Sequence, residues 1–165
     1  MIALKWFLVL ILILVIVAIL AGQLGMFKGG APNDLGVVEG RLKLPADTPN
    51  SVSSQADLYP NHPQHNYARI EPLPLVGDSK STLSKIKAII ELMPGSQIIT
   101  NQENYLYVQF TTRVMKFVDD AEFWCDPQSN VVQVRSASRL GKSDLGVNRQ
   151  RIEWIRKQLE EISLK

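Results

Sequence analysis

Residues 6–22, WFLVLILILVIVAILAG, form an unbroken apolar run inside an uncharged stretch bounded by Lys5 and Lys28. Roughly 20 apolar residues at a rise of about 1.5 Å each match the ~30 Å hydrocarbon core of a bilayer, and a helix satisfies its own backbone there. The run therefore predicts a transmembrane helix that meets the lipid bilayer through residues 6–27. A cleaved signal peptide would have an apolar core of about 7 to 15 residues and small residues at its cleavage site. Here Ile19 stands two positions before Ala21, where a small residue is wanted, and Gln23 follows Gly22, where a lipoprotein signal requires cysteine.

The charge balance across this helix is nearly even. Lys5 and the terminal amine precede it, and Lys28, Arg41 and Lys43 follow, so the usual cytoplasmic excess of positive charge gives little direction. A short tail ahead of a long folded domain is the layout of a signal anchor with its N-terminus inside. The domain is therefore expected to be extracytoplasmic. A chain of 165 residues then has room for one further domain of ordinary size. The formal net charge is only +2 and no polybasic tract appears, which argues against a nucleic-acid partner. Cys125 is the sole cysteine, so no internal disulfide can form.

Three segments follow from the patterning. Residues 1–28 are the short tail and anchor. Residues 29–76 are rich in Pro, Gly, Asn and Ser, with short apolar runs such as GVVEGRLKL and IEPLPLV; repeated prolines forbid helix and central strand, so this part reads as a linker and extended segments lying over the domain. Residues 77–165 form the core. In STLSKIKAIIELMPG, the positions Leu83, Ile86, Ile90 and Met93 recur at three and four, with Ile89 widening the stripe. This is an amphipathic helix, which Ser81 or Thr82 can cap and which Pro94 and Gly95 stop.

Four strand-like runs come next: SQIIT, NYLYVQFTT, a run through RVMKFVDDAEFWC, and VVQVRSAS, with turns at NQEN and DPQSN. If residues 127–130 form the last loop, Cys125 faces Val132 and Phe123 faces Val134 on an apolar side, while Trp124 meets Gln133 and Glu122 meets Arg135 on the other. A slip of one residue would set Phe123 against Gln133. Ile152, Ile155, Leu159 and Ile162 then mark a second amphipathic helix. The expected fold class is α+β: a transmembrane helix followed by a two-layer domain, an antiparallel sheet of about four strands with two amphipathic helices on one face.

The stretch SASRLGKSDLGVNRQR, residues 136–151, joins the last strand to this helix. Extending the helix stripe backwards lands on Asn148, an amide on a buried face, which must find partners. Asp144, or Ser143 before it, occupies an N-cap position, and Gly141 and Gly146 allow close backbone approach. One reading makes Arg139, Arg149 and Arg151, with Ser138, a ligand-binding cluster for an anionic small molecule or lipid head group at a positive helix end. The other makes Asp144, Asn148, Gly141 and Gly146 structural and pairs the arginines with acids of the neighbouring hairpin.

Metal and nucleophile chemistry find less support. Asp119, Asp120 and Glu122 lack a full coordination set for a hard cation, and alternation separates Asp119 from the other two. His62 and His65, in the loop PNHPQHNY, lack further zinc ligands. Cys125 falls on the apolar strand face, a packing position. The serines of NSVSSQ have no GxSxG elbow. No metal and no cofactor is expected.

From DLGVVEGRL onward the chain resembles the bacterial and plastid family known as domain of unknown function 1499. PNSVSSQ, IEPLPL, LSKIKAIIELMPG, NYLYVQFTTRVMKFVDDAEF and above all VQVRSASRLGKSDLGVNRQRI carry the likeness, which covers residues 34–165. The resemblance implies a compact α+β domain, often in envelope or organelle-targeted proteins, without an established reaction. With the apolar helix, it makes the bacterial inner membrane the expected location, with the domain extracytoplasmic in the cell envelope. Its signature positions here are Ser136, Ser138, Arg139, Gly141, Asp144, Gly146, Asn148, Arg149 and Arg151. Where many relatives carry cysteines this chain has Leu44 and Ser51, so any thiol chemistry of those relatives is closed to it.

The expected function is that of a binding or accessory module on a single-pass membrane protein. An envelope enzyme using the arginines on an anionic substrate, with Asp120 or Asp144 as acid or base, and a purely structural domain are the alternatives.

Overall fold

The computed structural model describes residues 2–164; Met1, with the terminal amine counted above, and Lys165 lie outside the described residues. Helix α1 (Ile2–Gln23) covers the apolar run. It is long and apolar enough to cross a membrane, and its apolar window has no protein cover. Its last turn rests on the domain. Gln23 Nε2 donates to the carbonyl oxygens of Val114 at 2.7 Å and Arg113 at 3.3 Å. Gly22 lies so close to Met115 that a Cβ there would come within 2.8 Å of the Met115 carbonyl oxygen. Just beyond the helix, Phe27 stacks on Phe117 with ring centroids 5.5 Å apart.

The domain is an antiparallel sheet of six strands in the order β1 (Ser51–Ser53), β6 (Val131–Ser138), β5 (Val118–Asp126), β4 (Tyr105–Thr111), β3 (Ser96–Asn101), with β2 (Leu73–Pro74) also paired to β6. The four longer strands are those the alternation predicts. The two extra ones come from the Pro-rich segment, where three and two residues are too short to show a period of two. Pro74, lacking an N–H, stands at this edge rather than in the sheet interior. The β5–β6 hairpin has the expected register: Cys125 faces Val132, Phe123 faces Val134, Trp124 faces Gln133 and Glu122 faces Arg135.

Helices α3 (Ser79–Glu91) and α4 (Val147–Ser163) cover one face of the sheet. The short α2 (His65–Ala68) belongs to the loop with the two histidines. Helix α3 starts earlier than Ser81: Asp78 is the cap, its side chain accepting from Ser81 N at 2.7 Å, while Thr82 is buried and bonds back to Val76 and Asp78. A charged acceptor at the positive helix end does the work expected of the hydroxyls. Leu83, Ile86, Ile89 and Ile90 meet Ile152, Ile155, Leu159 and the sheet's Leu106, Val108, Phe123 and Val134 in one core. Ile162, expected on the α4 stripe, is 43% exposed, because it lies past the part of the helix that the sheet covers.

The opposite sheet face is covered by extended chain. Leu42 packs with Tyr105 and Trp124, and Val37 and Tyr107 lie against them. Phe123 is fully buried between sheet and helices. Phe123→Ala should lower stability by about 3–5 kcal/mol. Gln128→Ala, in the exposed turn of the same hairpin, should change it by less than about 0.5 kcal/mol. Urea denaturation of the detergent-solubilised chain followed by near-UV circular dichroism checks both.

Candidate functional site

Strand β6 ends at Ser138, and α4 begins at Val147 after eight intervening residues, with a buried amide in its first turn. Asn148 is fully buried, and every polar atom of its side chain is engaged. Its Oδ1 accepts from Ser136 Oγ at 2.6 Å and from Arg151 Nη1 at 2.6 Å. Its Nδ2 donates to Ser138 Oγ, to the Asn50 carbonyl oxygen and to the Asp144 carboxylate, at 2.9–3.2 Å. One amide thus ties β6, the residue before β1, the connecting loop and the last helix. Asn50 was invisible as a partner from sequence, although it stands in the PNS motif. Its side chain donates to the Gly141 carbonyl at 2.9 Å, and its own carbonyl accepts from Ser138 N.

Asp144 closes the start of α4 from two residues ahead of the geometric cap, Gly146. Its carboxylate accepts from the backbone N–H groups of Gly146 and Asn148 and from the Tyr67 hydroxyl. Burial opposes ionisation of Asp144, but these donors together hold it below the usual carboxylate range. Tyr67 responds in the opposite sense, raised by burial and by its acidic partner. Gly141 and Gly146 serve here by positive φ, 98° and 83°. A Cβ would meet nothing nearer than 3.6 Å at either, so close backbone approach is not their role.

The three arginines leave in three directions. Arg139 forms a two-pronged pair with Asp120, Nε and Nη2 each 2.7 Å from a carboxylate oxygen, and Tyr107 donates to the same acid at 2.5 Å. This pairing raises the Arg139 pKa. Arg151 crosses to the helix side of the sheet, where it meets Asp119 at 2.6 Å and lies 4.4 Å over the Phe110 ring. Alternation along β5 sends the adjacent acids to opposite faces, so the two guanidiniums are held apart. Arg149 turns outward and donates to the carbonyls of Tyr67 and Arg69 at 2.6 and 2.8 Å.

On the sheet face of Asp120 lies a third ion pair, Glu122 with Arg135. Glu122 Oε1 accepts from Tyr105 and from Gly36 N, both at 2.8 Å, while its Oε2 stands 3.7 Å from Arg135 Nη1. Desolvation dominates: it raises the Glu122 pKa despite these partners and lowers that of Arg135. His65 pairs with Asp57 at 2.8 Å, His62 lies 3.4 Å from Asp47, and Cys125 is buried with its thiol pushed up by desolvation.

Three clefts touch these residues, each taking a different part of them. An open cleft of about 500 Å³ is lined by Arg149, Arg69, Tyr67, Glu71 and Glu153. A pocket of about 220 Å³ has Asp119, Ser138 and Asp144 within an apolar rim of Phe117, Leu140 and Leu145. A groove of about 450 Å³ runs between Leu92, Phe110, Val147 and Trp154, beside Arg151.

Residues 41–159 match the family described as protein of unknown function (DUF1499). The chain belongs to this family. No curated protein and no solved structure matches it. The DUF1499 match starts after α1 and includes Asn50, Tyr67, the β5–β6 hairpin and the whole Asn148 network. The apolar helix α1 lies outside it.

Removing the Asn148 amide deletes five hydrogen bonds in a buried network at once, so Asn148→Ala should cost on the order of 3 kcal/mol in stability, read as a fall in urea midpoint. Asp144 titrates lower in the folded state than its unfolded value of about 3.9. Its contribution is complete above that pH and disappears as pH falls through the folded value. Asp144→Asn should therefore flatten the acid side of a plot of Tm against pH below about pH 4.

Proposed function

We propose that this chain is a single-pass protein of the bacterial cell envelope whose extracytoplasmic domain is a non-catalytic binding or accessory module held at the membrane surface. The observation that best supports this is the seat of α1 on the loop between β4 and β5, which joins the apolar helix to the domain through contacts and not only through a linker. The paired state of the acids weighs against an enzyme. Asp120 is chelated by Arg139, and Asp144 is filled by Tyr67 and two backbone N–H groups, so neither is poised to exchange a proton with a substrate.

For an anionic small molecule, the site this reading favours is the cleft of Arg149 and Arg69, the place where an arginine of the signature stretch reaches open space. Arg139 and Arg151 are positioning groups within the fold.

Position 128 lies in the turn between β5 and β6, and Cys125 is buried. In spheroplasts, a membrane-impermeant maleimide should label Gln128→Cys before lysis; labelling only after lysis overturns the orientation. Native mass spectrometry of the detergent-extracted chain should show an anionic adduct that Arg149→Ala loses while its urea midpoint stays within about 1 kcal/mol of the parent. A bare parent chain overturns the ligand reading.

A further inference from the structure

The antiparallel sheet has two ends of different chemistry. At one end lie the turn after α3 (residues 92–95), the β4–β5 loop (residues 112–117) and the β6–α4 loop (residues 139–146). They read LMPG, TRVMKF and RLGKSDLG. At the other end lie the turns of residues 102–104 and 127–130, which read QEN and PQSN. Exposed large apolar side chains gather at the first end: Leu92 is 82% exposed and Leu145 86%, with Val114 and Leu140 also open. The two apolar-rimmed clefts open here and share Thr112 and Val147. Leu145 is moreover held at φ 52°, a region that a bulky residue rarely adopts, so a strained backbone presents an uncovered leucine.

Charge is arranged in the same way. Arg113 and Lys142 are exposed, Lys116 is half-buried, and among the described residues none of them has an acidic partner. The one acid in the three loops, Asp144, is occupied by Tyr67 and the start of α4. This end also carries the helix. Gln23, in its last turn, bonds to the backbone of residues 113 and 114, and Gly29 lies against Arg139 and Leu140. Two of the three loops therefore stand level with the point where α1 stops being apolar.

We infer that this end of the domain is a second membrane contact, which docks on an anionic leaflet with Leu145, Leu140 and Val114 in the head-group region and Arg113, Lys116 and Lys142 on lipid phosphates. The inference rests on the reading of α1 as a membrane span and names the surface beside it. Apolar side chains ringed by basic ones, with no unpaired acid in the three loops, match an interface that is apolar below and negative above. The surface is continuous with the exit of the helix, so docking requires only that the domain lie down on the membrane it is tied to.

The test places single fluorophores through Leu12→Cys, Leu145→Cys and Gln128→Cys in the full chain, with buried Cys125 left unlabelled. Each is reconstituted in vesicles of brominated phosphatidylcholine with or without phosphatidylglycerol. Position 12 should be quenched in both and position 128 in neither. Position 145 should be quenched in the anionic vesicles, and should lose that quenching in the combined Arg113→Gln, Lys116→Gln, Lys142→Gln variant and in about 1 M salt, where the screening length falls to about 3 Å. If position 145 is as unquenched as position 128 while position 12 is quenched, the docking inference fails and the span stands. If position 145 is quenched while position 12 is not, the span fails and docking stands; if neither is quenched, both fail. Quenching at position 145 that ignores lipid charge and the triple variant overturns the assignment of an anionic leaflet.

Discussion

Asn148 carries no charge, yet its neighbourhood depends on it. A fully buried amide has to satisfy two donors and an acceptor inside the protein. This one does so with groups from β6, from the residue preceding β1, from the connecting loop and from Arg151. Because those partners belong to four parts of the chain, the amide fixes where α4 lands on the sheet. Arg151, anchored on Asn148 at one guanidinium nitrogen, is aimed by it at Asp119. A hydrophobic residue at this position would pack, but it would take a bond from Ser136, Asn50, Asp144 and Arg151 and leave the Ser138 hydroxyl without its partner.

The two faces of β5 divide the remaining polar chemistry. Asp119 looks toward the helices and Asp120 and Glu122 toward the covering chain, and each meets its own arginine. The pairs differ in quality. Asp120 and Arg139 form a two-pronged pair with a tyrosine donor, so that both charges are well solvated by protein. Glu122 and Arg135 are held at 3.7 Å in a drier place, and the shifts of both toward their neutral forms show desolvation winning. That pair is better understood as holding the strap of residues 36–44 in register, through Gly36 N and the Leu44 carbonyl, than as a source of stability.

Much of this architecture is legible in the sequence. The hairpin register follows from one coincidence, an apolar face and an opposite-charge pair in the same alignment, and the structure has it. The signature stretch also announces its joinery, since an asparagine on an apolar helix stripe demands partners. Other parts are not legible for physical reasons. Strands of two and three residues carry no periodicity, and Pro74 points away from a strand assignment altogether. Asn50 and Tyr67 lie about 98 and 77 residues from the groups they serve, and nothing local marks a side chain for a distant partner. Ile162 keeps the helical spacing but outruns the surface it would bury against.

The chain alone therefore determines which segments are apolar helix, strand and turn, and which strands can pair, because those depend on periodicity and on neighbours within a few residues. It determines too that α1 is long and apolar enough to cross a membrane. Where Arg139, Arg149 and Arg151 point is decided only by tertiary structure. Their shared stretch suggests a cluster, but the pleat of β5 splits the acids between two faces and the turn into α4 sends the third arginine outward. The uneven ends of the sheet belong to the same class of fact: LMPG, TRVMKF and RLGKSDLG stand far apart in the chain, and antiparallel pairing brings them together beside the C-terminal end of α1.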